Sequence, residues 1–149
     1  MMIVALCAGF ASCSNDDDEK NEGAYIETAD LIGTWNAIWV VGNYTNDNDP
    51  TKNKEWNCNW ENAKKLELDW FFFTTMKFDT VNKGEATDGD DKYAFAWTLK
   101  NSILSVDFSE GQIMDVKIVD HTGNTIVVET SSKEGSVNRY EKVTYQKVK

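Results

Sequence analysis

Residues 92–118 read KYAFAWTLKNSILSVDFSEGQIMDVKI, and this stretch decides the fold. Tyr93, Phe95, Trp97 and Leu99 fall on one side of a two-residue period, while Ala94, Ala96 and Thr98 fall on the other. That alternation marks a strand with one face buried. Leu104, Val106 and Phe108 alternate in the same way with Ser105 and Asp107, as do Met114, Val116 and Ile118 with Asp115 and Lys117. Working outward, the same period places strands at 35–41, 68–79, 92–99, 103–108, 113–119, 125–130 and 137–146. If the long run 68–79 is two strands, the total rises from seven to eight. Between the runs lie Asn82-Lys83-Gly84, Asp88-Gly89, Glu110-Gly111, Thr122-Gly123-Asn124 and Glu134-Gly135. Each supplies a residue that tolerates positive φ, and the short spacing favours hairpins. The fold class is therefore all-β, an antiparallel up-and-down meander that can close into a small barrel. The last run changes parity between Tyr140 and Val143, which predicts a β-bulge there.

Residues 43–65 break the pattern. They are rich in Asn, Asp and Lys but carry Trp56, Cys58, Trp60 and Ala63. Trp56, Trp60 and Ala63 stand at i, i+4 and i+7, the spacing of one face of a short helix. A helix closing one end of the barrel fits this linker, and so does a loop laid across the opening.

The 149-residue length suits one domain, and the 41% hydrophobic content is enough for a core. The 25 acidic residues outnumber 15 basic ones, for a formal charge of −10. Such a field repels phosphate backbones, so nucleic acid is not an expected partner. Of the three cysteines, Cys7 and Cys13 lie at the extreme N-terminus and Cys58 stands alone in the body, so no disulfide framework is expected.

The N-terminus reads as an address. Met1 to Phe10 (MMIVALCAGF) is an uncharged apolar run of signal-peptide length, followed by Ala11-Ser12-Cys13. Phe10-Ala11-Ser12-Cys13 resembles the lipobox of bacterial lipoproteins. The resemblance implies cleavage before Cys13, acylation of Cys13, and anchoring through its acyl chains. No Lys or Arg precedes the apolar run, which suggests a start upstream of Met1. Ser14 to Gly23 (SNDDDEKNEG) is polar and acidic and is expected to act as a solvated tether. An acidic run directly after the acylated cysteine resembles the surface-export signal of Bacteroidota lipoproteins, which implies display on the outer membrane. The expected organisation is a signal peptide at 1–12, lipidated cysteine and tether at 13–30, and the β domain at 31–149. Membrane contact would come from the lipid on Cys13.

Leu31-Ile32-Gly33-Thr34-Trp35 opens the first strand with a Gly-x-Trp motif. The strand and turn Phe78 to Gly84, the pair of strands from Tyr93 to Leu104 with Asn101 at the turn, and the closing Val143 to Lys147 follow in order. Together these features resemble the lipocalin-like lipoproteins of Bacteroidota. The resemblance implies a lipocalin-like barrel in which Gly33 and Trp35 plug the closed end. It also implies that Arg139, the only arginine, stacks on Trp35, a contact of about 0.5–2 kcal/mol. An eight-stranded barrel either holds one small ligand or fills with side chains.

The residues that could carry chemistry are few. His121, the only histidine, precedes a turn and reads as solvated, without a second histidine for zinc or catalysis. Cys58 has no identifiable base and reads as a structural thiol. Asp88, Asp90 and Asp91 lack EF-hand spacing and read as a solvated hairpin turn. Carboxylate pairs for glycoside hydrolysis exist on paper in any chain this acidic, but no phosphate-binding glycine loop or nucleophile elbow occurs. The chain is not expected to be an enzyme or to need a cofactor. The remaining lead is aromatic: Trp56, Trp60, Phe71 and Phe73 form a candidate platform at the barrel mouth for a small apolar or glycan ligand. The competing expectation is a filled barrel whose surface docks onto an outer-membrane protein partner.

Overall fold

The computed structural model describes residues 24–66, 72–108 and 112–148. Cys13 and the signal-peptide expectation, and with them Phe71, lie outside the described residues. The elements run α1 (Thr28–Leu31), β1 (Gly33–Asn46), β2 (Lys54–Asn59), α2 (Trp60–Ala63), β3 (Thr75–Phe78), β4 (Lys83–Asp88), β5 (Asp91–Lys100), β6 (Ile103–Asp107), β7 (Ile113–Thr122), β8 (Thr125–Glu134) and β9 (Val137–Lys147). A short 3-10 turn, Lys64–Leu66, continues α2. Eight strands close into an antiparallel barrel in the order β1-β3-β4-β5-β6-β7-β8-β9, with β9 returning to β1. The meander and the short helix in the first long linker are as the sequence suggests.

The linker nevertheless holds a strand that the alternation did not reveal. β2 pairs with Trp39 to Tyr44 of β1, and β3 pairs with Gly33 to Asn36 on the same edge. Both run antiparallel to β1, so together they form one strand interrupted by the excursion from Trp60 to Thr74. The interruption coincides with a bulge in β1 between Ala37 and Trp39. That bulge turns Ala37 and Val40 inward and leaves Ile38 and Trp39 both outward, 39% and 44% exposed. A second bulge lies in β7 between Ile118 and Asp120.

The bulge expected in the last strand is not there. β9 keeps continuous register with β8 and, from Tyr145 inward, faces β1 across β1's own bulge. Its inward positions include Arg139, Glu141, Val143 and Tyr145, so the parity never changes. The expectation failed because two charged residues occupy inward positions. Glu141 is fully buried, and Arg139 donates to its Oε1 from Nε at 2.8 Å, with Nη2 making a second contact to the same oxygen.

β1 starts, β9 ends and the turns β3–β4, β5–β6 and β7–β8 all lie at one end, here called the base. The N-terminal segment seals it. Ala24 N–H donates to Ile118 O at 3.1 Å, and Ser102 Oγ donates to Ala24 O. From there Ile26 and Leu31 bury their side chains as the chain passes to Gly33.

Inside, large and small residues alternate across neighbouring strands. Phe95 lies opposite Gly84, where an added Cβ would stand 2.3 Å from its ring. Phe78 meets Phe95 and Trp97 edge-on at 5.5 and 5.3 Å, and Phe108 continues the series to Phe95 at 5.6 Å and Phe73 at 5.1 Å. Each such contact adds about 0.5–1.5 kcal/mol beyond the area it buries.

Candidate functional site

At the base, Trp35 is fully buried and its Nε1 donates to Leu31 O at 2.8 Å. The cation over its ring is Lys147, with Nζ 5.0 Å from the centroid. Lys147 Nζ also donates to Asp30 O at 2.9 Å, which fixes the side chain across the base. Gly33 is required for this passage: its φ is +133°, and a Cβ there would stand 2.8 Å from Lys147 Cε. Arg139 therefore does not stack on Trp35. It faces Tyr44 and Ser132 in the register near the opposite end of β9, and its guanidinium is committed to Glu141.

At the opposite end, the proposed aromatic platform is dispersed into the core. Trp56 belongs to β2, not to a helix, and is 6% exposed. It lies opposite Gly42, where an added Cβ would meet its Cε2 at 2.6 Å and Tyr140 O at 2.5 Å. Trp60 opens α2 beneath an Asn59 cap that accepts from Asn62 N–H at 2.9 Å. Its ring is 2% exposed, and Nε1 donates to Thr74 Oγ1 at 3.0 Å. Thr74 Oγ1 donates onward to Asp88 Oδ1 at 3.3 Å. Phe73 is half-buried and packs on Tyr93 and Phe108, centroids 5.4 and 5.1 Å away.

The chain beyond α2 stoppers the barrel. Phe72 is 2% exposed inside it, Ala37 N–H donates to Thr74 O at 2.9 Å, and Tyr145 OH donates to Phe73 O at 2.7 Å. Burial of the Tyr145 phenol pushes its pKa far above the ordinary value. The interior space left among Trp35, Phe72, Met76, Phe78, Leu104 and Tyr145 amounts to about 10 Å³. That is room for about one water, against roughly 300–1,000 Å³ for an ordinary small-molecule site. Of the two barrels that the sequence left open, the filled one is formed by the described residues.

Space for contact lies on the outer wall instead. One groove of about 430 Å³ crosses β9, β1 and β2 between Val41, Asn43, Glu55, Asn57 and Tyr140. Trp39 stands beside it, its Nε1 donating to Asn57 Oδ1 at 2.8 Å. Tyr140 donates to Glu129 Oε2 at 3.0 Å, and partial burial together with that carboxylate pushes its phenol up to about 12. Another groove, about 470 Å³, crosses β4, β5 and β6 and is lined by Val81, Ala96, Thr98, Asp107 and Ile113. Among the described residues, Trp39 is the exposed indole that residue spacing missed. The unbroken apolar run Ala37 to Val41, which no strict alternation accommodates, was the available signal.

The other residues singled out by type are scattered. His121 pairs with Ile126 near the β7–β8 turn, Cys58 packs half-buried against the core, and Asp88 faces Asp91 across the β4–β5 turn. Among the described residues, no three His, Cys, Asp or Glu side chains are grouped to hold a metal ion, and no helix is long and apolar enough to cross a membrane. No protein-family model matches the chain, and a search of curated proteins finds no relative.

Proposed function

We propose that this is a lipid-anchored protein of the bacterial cell envelope, with a lipocalin-like barrel that acts through its outer surface as a non-enzymatic interaction subunit. The observation that carries the reading is the filled interior. With about 10 Å³ left inside among the described residues, they leave no room for a lipid tail or a sugar ring. The burial of Trp56 and Trp60 supports the same reading, because rings held at 6% and 2% exposure cannot offer a stacking face. The Gly33–Trp35 opening, sealed at the base beneath Lys147, supports the likeness to lipocalins. The lipid anchor rests on the sequence Phe10 to Cys13 and the acidic tether behind it.

The experiment is crosslinking of the acylated protein in intact cells, with photoreactive side chains placed at Trp39 and Ile113 on the outer wall. A discrete crosslinked protein of the outer membrane is expected. Absence of any crosslinked species from both positions would refute the interaction reading.

A second reading has one observation in its favour. Trp39 beside the groove of Asn43, Glu55 and Asn57 combines an exposed indole with amide and carboxylate groups, the mixture that a glycan ring meets well. A small ligand would then bind on the wall, not in the barrel, and Trp39→Ala would abolish its binding while Trp60→Phe would not.

A further inference from the structure

We infer that the base of the barrel is the membrane-facing surface and that the opposite end is directed away from the lipid. The inference rests on the reading that Cys13 carries the acyl chains. The described chain begins where Ala24 is tied to Ile118 and Ser102, at the base, and Ile26 and Leu31 bury the segment that follows. The anchor therefore leaves the domain from the base, with the ten residues Ser14 to Gly23 between Ala24 and Cys13.

The lengths favour one orientation. From Ala24 back to Cys13 the chain reaches at most roughly 36–40 Å. β9 has eleven residues. At about 3.3 Å per residue and a tilt near 40°, such strands make a barrel about 28 Å tall. Turning the far end toward the lipid would require the tether to climb the whole wall, which uses roughly 70–80% of its greatest reach. With the base toward the lipid, none of that reach is spent on the wall.

The surface of the base agrees with lipid contact. Tyr25, Val81 and Val148 are 82%, 68% and 48% exposed, and all three lie at this end. Tyr25 follows Ala24, Val81 occupies the β3–β4 turn, and Val148 follows β9 with its N–H on Thr34 O. An amphipathic tyrosine suits the headgroup layer. The charges around them include both signs, Glu27, Asp30, Asp79 and Asp120 with Lys83 and Lys100. The base therefore fits zwitterionic headgroups, not a purely anionic surface.

The test uses the full chain, exported and acylated in a bacterial host and reconstituted into phosphatidylethanolamine–phosphatidylcholine vesicles. In a Cys58→Ser background, a fluorophore is placed at the base through Val81→Cys or Asn124→Cys, and at the far end through Asp90→Cys or Asn48→Cys. All four sites are exposed. Quenching by brominated lipid is expected to be severalfold stronger at the two base positions. Equal or reversed quenching in acylated, vesicle-bound protein would overturn the orientation and leave the lipoprotein reading standing. An intact mass without acyl chains, or failure to bind vesicles, would overturn both.

Discussion

Glu141→Gln is the substitution whose consequence follows most directly from the interior of this barrel. The change keeps the volume of the side chain and one acceptor oxygen, removes the charge and turns the second oxygen into an amide donor. Glu141 is fully buried, and the Arg139 side chain is 16% exposed. Removing one partner of a buried ion pair costs about 3–5 kcal/mol, since the remaining charge stays desolvated. The partial exposure of Arg139 and the retained acceptor put this variant at the low end, about 3 kcal/mol. For a domain of this size that lowers the melting temperature by about 10 °C. The pair replacement Arg139→Met with Glu141→Leu removes both charges together, and its stability should lie within about 1 kcal/mol of the parent. Urea denaturation followed by tryptophan fluorescence, on the Cys13→Ala chain, measures the parent, Glu141→Gln, the double replacement and its two single changes. The reasoning fails if Glu141→Gln changes stability by less than about 0.5 kcal/mol, or if the double replacement is destabilised by the sum of its single changes.

Gly42→Ala should cost about 1–3 kcal/mol in the same assay, because its methyl group would press on Tyr140 O and the Trp56 ring. Trp56→Ala should cost about 3–5 kcal/mol, and in that background Gly42→Ala should cost less than in the parent, since only Tyr140 O is still pressed; equal costs would contradict the packing described. Lys147→Met should lower stability by about 1–2 kcal/mol through loss of the contact over Trp35 and the bond to Asp30, whereas a stacking role for Arg139 would leave Lys147→Met neutral. The raised phenol of Tyr145 favours the protonated folded state, so its contribution is complete below about pH 10, the unfolded value, and is lost as pH rises above it. Unfolding free energies from urea denaturation between about pH 8.5 and 11 should fall, with Tyr145 contributing up to about 1.4 kcal/mol per pH unit beyond pH 10. Tyr145→Phe should remove that part of the slope and leave the part due to Tyr140, which has the same sign.

Strands β5 to β7, with the apolar stretches of β8 and β9, were legible because their inward residues are large and apolar and their outward residues mostly polar or small. β2 and β4 were hidden for opposite reasons. The inward residues of β4 are Gly84 and Ala86, kept small by Phe95 across the sheet, so no apolar period shows. In Lys54 to Trp60 the apolar residues Trp56, Cys58 and Trp60 do recur at every second position, but the separation of Trp56 and Trp60 also satisfies a helix, and Ala63 weighted the reading that way. The chain uses both periods, a strand through Trp56 and Cys58 and a helical turn through Trp60 and Ala63. Polar neighbours in sequence made the two tryptophans look solvated, yet those neighbours occupy the other face of β2. Beyond Thr130, β8 is polar on both faces, and only its pairing with β9 reveals it as strand. The inward ion pair on β9 misled for the same reason: residue type stood in for direction.

The most direct test of a filled barrel is native mass spectrometry of the Cys13→Ala chain, exposed to pooled envelope lipids and glycans. The account predicts the bare protein mass, or an adduct that Trp39→Ala removes. A stoichiometric adduct that survives Trp39→Ala but is lost when the interior is crowded by Met76→Trp would place a ligand inside the barrel and contradict it.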